Sequence, residues 1–181
     1  MTTIEELVRA RYGALVGFAT LLTGSPAEAE DIVQDALVVV FARSPHFPSL
    51  GHAESYVRRT IASRFVDGRR RRQREWLREG RVERERGGSA NLEVADRVAA
   101  RIDVEAALLT LAPRVRACVA LRYLADQSIT ETAQALGLSV GAVKRYVSDG
   151  IVALNRALGT EERVDLAQSD RVDVVAKGAA R

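Results

Sequence analysis

Apolar residues recur at helical spacing along most of the chain, and the stripes break at Gly, Pro and Ser. Ile4, Leu7, Val8, Leu15, Phe18, Ala19 and Leu22 share one face, which predicts a helix over residues 4–22 stopped by Thr23 and Gly24. Ser25-Pro26-Ala27-Glu28 joins a capping box to a proline at the first helical position, so a second helix is expected over 26–43. That helix turns Ala29, Ile32, Val33, Ala36, Leu37, Val40 and Phe41 inward. Its other face carries Asp31, Gln34, Asp35 and Val38, with Glu28 and Glu30 nearby. Ser44 to His52 holds two prolines and a glycine and reads as a loop. From Ala53 to about Leu77 the pattern is helical again, on the stripe Tyr56, Val57, Ile61 and Phe65.

Periodicity is lost between Glu79 and Asn91, which ends near Gly-Gly-Ser and reads as a flexible linker. Helices resume near Leu92. Ala106 to Leu111 is apolar, and Pro113 opens a helix whose inward positions are Val115, Cys118, Val119 and Tyr123 or Leu124. Beyond Gly159 the valines are scattered without clear caps, and the tail 159–181 is unassigned.

The most informative stretch runs from Gln127 to Leu158. Ser128 with Glu131 three residues on is a capping box. Ile129, Thr132, Ala133 and Leu136 share the inner face of a short helix. Gly137 suits a left-handed stop, Leu138 anchors the turn, and Ser139 caps a second helix that carries Val143, Val147, Ile151 and Leu154 inward. Ala133, small and four residues before the glycine, allows two helices to cross closely. Lys144, Arg145 and Tyr146 fall on or beside the outward face, the arrangement of a recognition helix in a major groove. An ordinary helical hairpin would share the caps. Asp149 and Gly150 count against a uniform second helix, because an interior Gly costs about 1 kcal/mol relative to Ala.

Composition adds little to the fold and more to the chemistry. The 181 residues are 47% hydrophobic, enough for one domain or two small ones. Net charge is only +3, but acids gather over 28–35 and arginines over 58–86, which suggests two different partner surfaces, one of them for nucleic acid. Cys118 is the single cysteine, so no internal disulfide or cysteine-based metal set is available, and its apolar neighbours make it a core residue. There is no secretory leader pattern and no apolar run approaching about 18 residues, so a soluble, cytoplasmic protein is expected.

Three roles fit the acidic face of the second helix: a solvated surface, a metal site, or a dock for a basic partner. The metal reading lacks a histidine at i+3 or i+4, whereas Val38 beside the acids favours docking. His46 and His52 are loop histidines without nearby carboxylates. Phe47 either anchors its loop or offers a ring to a base. Arg58, Arg59 and Arg64, then Arg69 to Arg72 and Arg74, interleave with Tyr56, Phe65 and Trp76, which suits phosphate contact and base stacking.

The order of these pieces resembles an extracytoplasmic-function sigma factor of the sigma-70 family. The match is carried by AEDIVQDAL (Ala29 to Leu37), YVRRTIASRFVDGRRRR (Tyr56 to Arg72) and LAPRVRACVALRYLADQSITETAQALGLSVGAVK (Leu111 to Lys144). The resemblance implies an all-α fold of two small helical domains joined by a flexible linker, the C-terminal one containing the helix-turn-helix. Residues 1–78 would form domain 2, residues 79–98 the linker, and residues 99–158 domain 4. It also implies that Asp31, Gln34, Asp35 and Val38 dock on the clamp helices of the largest polymerase subunit, and that the flap of the second largest subunit is a further partner. Phe47, His52, Tyr56, Arg58, Arg59, Ser63, Arg70 and Arg71 would open and read the −10 promoter element. Ser139, Ala142, Lys144 and Arg145 would read the −35 element. An anti-sigma factor would be a further partner.

Ser63 stands where many members have Asn, Tyr56 where they have Trp, and Ser148, Asp149 and Gly150 where basic residues are usual. These departures bear on base preference. No catalytic constellation, phosphate-cradling Gly loop, cofactor site or small-molecule substrate is indicated, and no membrane insertion. Two other classes compete with the sigma reading. A stand-alone helix-turn-helix regulator leaves the N-terminal helices without a role. An Mg²⁺-dependent DNA-processing enzyme would need Glu28, Glu30, Asp31 and Asp35 to converge, though they spread around the helix.

Overall fold

A computed structural model of the chain describes residues 4–43, 46–78 and 97–159. The linker read over 79–98 and the tail 159–181 therefore fall almost entirely outside the described residues. Within them the secondary structure is helical throughout: α1 (Ile4–Thr23), α2 (Pro26–Arg43), α3 (Leu50–Arg78), α4 (Arg97–Thr110), α5 (Pro113–Leu124), α6 (Ile129–Leu136) and α7 (Val140–Leu158).

The periodic stripes become the core with few changes. Leu7, Leu15, Leu22, Val33, Val40, Val57 and Ile61 are fully buried where α1, α2 and α3 pack together. Phe41 departs from expectation: it is 43% exposed and joins Val38, 67% exposed, on the outer face of α2. It lies near the end of α2, one step round the helix from buried Leu37 and Val40, where the apolar stripe meets solvent. The helix α3 also starts earlier than the sequence suggested. The Ser49 hydroxyl accepts from the His52 N–H and its carbonyl accepts from the Ala53 N–H, so the loop ends at Ser49 and Leu50 to His52 form the first turn.

Helix α5 lies at the centre. It packs on α1 and α3 on one side and on α6 and α7 on the other. Arg116, Ala117, Cys118, Val119, Ala120 and Leu121 are all buried, while Tyr123 and Leu124, one of which is expected inside, are both more than a third exposed. A helix enclosed on two sides buries nearly all of its middle turns, and its free end falls to the surface. Ala117, Ala120, Leu121 and Ala125 belong to the same apolar cluster as α1–α3, so the N-terminal and C-terminal helices share one core. Burial pushes the Cys118 thiol up to about 12, consistent with an inert core residue.

Candidate functional site

The helix-turn-helix has the local geometry its sequence demands. The Ser128 hydroxyl accepts from the Glu131 N–H at 3.2 Å, and the Glu131 carboxylate accepts from the Ser128 N–H at 2.9 Å. Gly137 has φ 60° and ends α6 in the left-handed region. The Ser139 hydroxyl accepts from the Ala142 N–H and starts α7. Thr132 and Ala133 of α6 and Val143 and Val147 of α7 close the inner side, with Leu136 and Leu138 packed against them. Ser139, Lys144 and Arg145 are exposed on α7, Ala142 is half-buried beside them, and the Arg145 guanidinium lies 5.3 Å from the centre of the Tyr146 ring. Interior Gly150, read above as a weakness of α7, is buried against α5.

On α2, Asp31, Gln34, Asp35 and Val38 are exposed together on one side. Glu28 is not part of that free face. Arg69 donates to it at 3.2 Å, and Arg72 pairs with its other oxygen. The acidic and basic blocks of the sequence thus meet at Glu28, while Asp31, Gln34 and Asp35 stay exposed. Among the described residues no group of three or more His, Cys, Asp or Glu side chains is placed to hold a metal ion.

The residues expected to face the −10 element divide into two sets. Ser63 is half-buried, and Arg70 and Arg71 are exposed along α3. His52 is exposed, with its Nδ1 2.8 Å from the Ser49 hydroxyl. The remainder are engaged within the molecule. Phe47 is only 6% exposed and packs 5.5 Å from the Tyr56 ring, so it anchors its loop and does not present its ring to solvent. Tyr56 accepts from Arg43 at 3.3 Å. Arg58 donates to Glu54 at 2.6 Å and to the Leu124 carbonyl at 2.8 Å, and its guanidinium stacks over Phe18. Arg59 donates to the side-chain oxygens of Gln127 at 3.1 Å and Glu131 at 3.3 Å.

Sequence reasoning missed three residues that join the two halves. Gln127, which opens the helix-turn-helix stretch, is buried and donates to the Ala125 carbonyl at 2.7 Å. Arg116, which helical spacing does not single out, crosses the core to donate to the Leu22 carbonyl at 2.5 Å and to the Leu109 carbonyl at 2.7 Å. Glu131 serves both its own helix cap and Arg59. Burial alone would raise its pKa, but the backbone and side-chain hydrogen bonds of Ser128 and the charge of Arg59 together hold it below the usual glutamate range. An oxygen shared between a helix cap and a distant cation leaves no trace in periodicity.

Comparison with known proteins agrees with this layout. Residues 7–75 match the family model described as Sigma-70 region 2. Residues 101–154 match the one described as Sigma-70, region 4. The RNA polymerase sigma-E factor of Streptomyces coelicolor is 33% identical over 169 residues, covering 88% of this chain and 93% of that protein. The ECF RNA polymerase sigma factor SigE of Mycolicibacterium smegmatis is 32% identical over 155 residues, covering 83% of this chain and 59% of that one. The fold is similar to that of the sigma factor RpoE of Bartonella quintana, solved in complex with the anti-sigma factor NepR. The TM-score is 0.67 at 23% identity, over 87% of this chain and 98% of that one. The chain therefore belongs to the extracytoplasmic-function group of the sigma-70 family, the RNA polymerase sigma factors that serve in transcription initiation.

Proposed function

We propose that this chain docks on core RNA polymerase through Asp31, Gln34, Asp35 and Val38, reads a −35 element with α7 and reads and melts a −10 element with α3. Residues 1–78 would act as the polymerase-binding and −10 unit, 79–98 as the connection, and 99–158 as the −35 unit. The observation that carries this reading is the pairing of two outward sets. One is an acidic face with an exposed valine and phenylalanine at its edge. The other is a capped helix presenting Lys144 and Arg145. The first suits a basic protein surface with an apolar centre. The second suits phosphates and base edges in a major groove.

Such a protein performs no chemistry of its own. It lends the polymerase sequence specificity and holds unpaired bases on Arg and aromatic surfaces. Its place is the cytoplasm, where polymerase and promoter are. No helix among the described residues is long and apolar enough to cross a membrane. An anti-sigma factor is a further partner of this reading.

Two small DNA-reading units pay an ordering cost when both must bind, and core polymerase would offset it by holding them apart at a fixed distance. The test is a mobility-shift titration on promoter fragments with and without core, with permanganate reactivity reporting unpaired thymines. Weak, salt-sensitive binding alone, and specific binding with strand opening once core is added, are expected. Tight specific binding by the chain alone, unchanged by core, would favour the stand-alone regulator.

A further inference from the structure

One turn beyond Arg145, α7 carries an acid, Asp149, on the same outward side. Val143, Val147 and Gly150 are buried, and the backbone at Gly150 lies against Val115 and Val119 of α5. That contact fixes how α7 is rotated on α5. At about 100° per residue, Arg145 and Asp149 then fall on the side away from the buried stripe, about 40° apart round the helix. Both are exposed.

The molecule itself makes no use of the Asp149 carboxylate. Among the described residues it takes part in no ion pair or side-chain hydrogen bond. Arg145, four positions before it, holds its guanidinium over the Tyr146 ring instead. A base followed four positions later by an acid is also the weaker order for a pair along a helix. Aspartate is among the poorer helix formers, so α7 gains nothing locally by carrying one in its middle. Beside a duplex its charge opposes every phosphate within reach.

The base edges of the major groove differ in how they would meet such a group. An ionised carboxylate is acceptor-only. Guanine offers two acceptors there, thymine an acceptor and a methyl group, and adenine an acceptor beside its amino group. Cytosine alone presents an amino donor with no acceptor next to it on the same base. We propose that Asp149 is a specificity-determining residue of α7 that accepts from the N4 amino group of a cytosine in the −35 element. The proposal rests on the reading of that element by α7. Asp149 lies about 6 Å beyond Arg145 along the helix axis, so the cytosine falls within about two base pairs of the base that Arg145 contacts. The acid selects by repulsion as well as attraction, because any other base there leaves a desolvated carboxylate facing an acceptor or a methyl group. Arg145 and Asp149 thus read with opposite sign, one choosing an acceptor edge and the other a donor edge.

The test is a selection of promoter fragments by the full chain assembled with core polymerase, from a library with a randomised −35 region and a fixed −10 element. Wild type is expected to select cytosine at one position within about two base pairs of the position that Arg145→Ala relaxes. Asp149→Ala should lower that preference about ten-fold and leave the other positions as they are. Asp149→Asn should move it to adenine, whose N6 and N7 suit a side-chain amide. The position is exposed, so both variants keep α7, which circular dichroism verifies. Tighter binding of Asp149→Ala to every sequence alike, with a steeper salt dependence, would overturn the proposal and put the acid beside the backbone. Unchanged preference in both variants would overturn it too. Where Arg145→Ala still relaxes a position, that failure belongs to Asp149 alone; where Arg145→Ala changes nothing either, the reading of the −35 element by α7 falls with it.

Discussion

Gly150 of α7 lies so close to Val119 of α5 that a β-carbon on it would sit 2.5 Å from the valine Cγ2 and 3.0 Å from Val115 Cγ1. Helix α7 contributes no side chain at this crossing, and Val119 of α5 fills the space a β-carbon would take. A glycine inside an exposed helix costs about 1 kcal/mol relative to alanine, so Gly150→Ala would ordinarily stabilise. Here the added methyl meets a packed core, and overpacking of this kind costs about 1–3 kcal/mol. Gly150→Ala is expected to lower unfolding stability in urea, and Val119→Ala in the same chain to recover part of the loss. A more stable single variant would show that the helices do not meet as closely as this.

What periodicity could reveal was the helices; what it could not reveal was their mutual placement. The α2 range, the Ser128–Glu131 cap and the Gly137 stop follow from residues within four positions of one another, where local sterics and hydrogen bonding decide. Gly150 read as a defect because its reason is a residue of another helix. Tyr123 or Leu124 reads as core from spacing along one stripe, whereas α5 is covered on two sides and its end, with both residues, reaches the surface. The same limit applies to the candidate site. The outward positions of Lys144, Arg145 and Asp35 were legible from spacing. The engagement of Arg58 and Arg59 by residues some seventy positions away depends on tertiary contact alone.

The Glu131 carboxylate makes part of the stability depend on pH. Its folded pKa is depressed, so its contribution is present above its unfolded value, about 4.3, and is lost as pH falls through the folded one. The side chain is 45% exposed, and screening keeps its pair with Arg59 under about 1 kcal/mol. Glu131→Gln is expected to be slightly less stable than wild type at neutral pH, with the difference shrinking as pH drops below about 4.3. Parallel pH–stability curves for the two proteins would show that the charged cap contributes nothing.

Charge reversal on the outer face of α2 should separate folding from assembly. Asp31 and Asp35 are one turn apart and exposed, on the side opposite buried Val33, Ala36 and Val40. Asp31→Lys with Asp35→Lys is expected to leave helical content unchanged by circular dichroism and to abolish co-purification with core polymerase. Core binding retained in the double variant would move the docking surface elsewhere.

The recognition helix offers the sharpest distinction between reading and mere attraction. Lys144 and Arg145 are neighbours on the exposed side of α7, but a helix turns about 100° per residue, so the two cannot address the same edge of the groove. Arg145 is steadied by its stack on Tyr146, which favours a fixed, bidentate contact to guanine. Lys144, a compact point charge, suits a phosphate. In core-dependent binding to a −35 element, Arg145→Ala is therefore expected to cost about 1–3 kcal/mol and to relax preference at one base position. Lys144→Ala should weaken binding to every sequence alike and lower the salt slope by about one. Footprints of both variants on promoter DNA, taken across a salt series, separate the two. Wild-type protection in both would remove α7 from the promoter-reading surface.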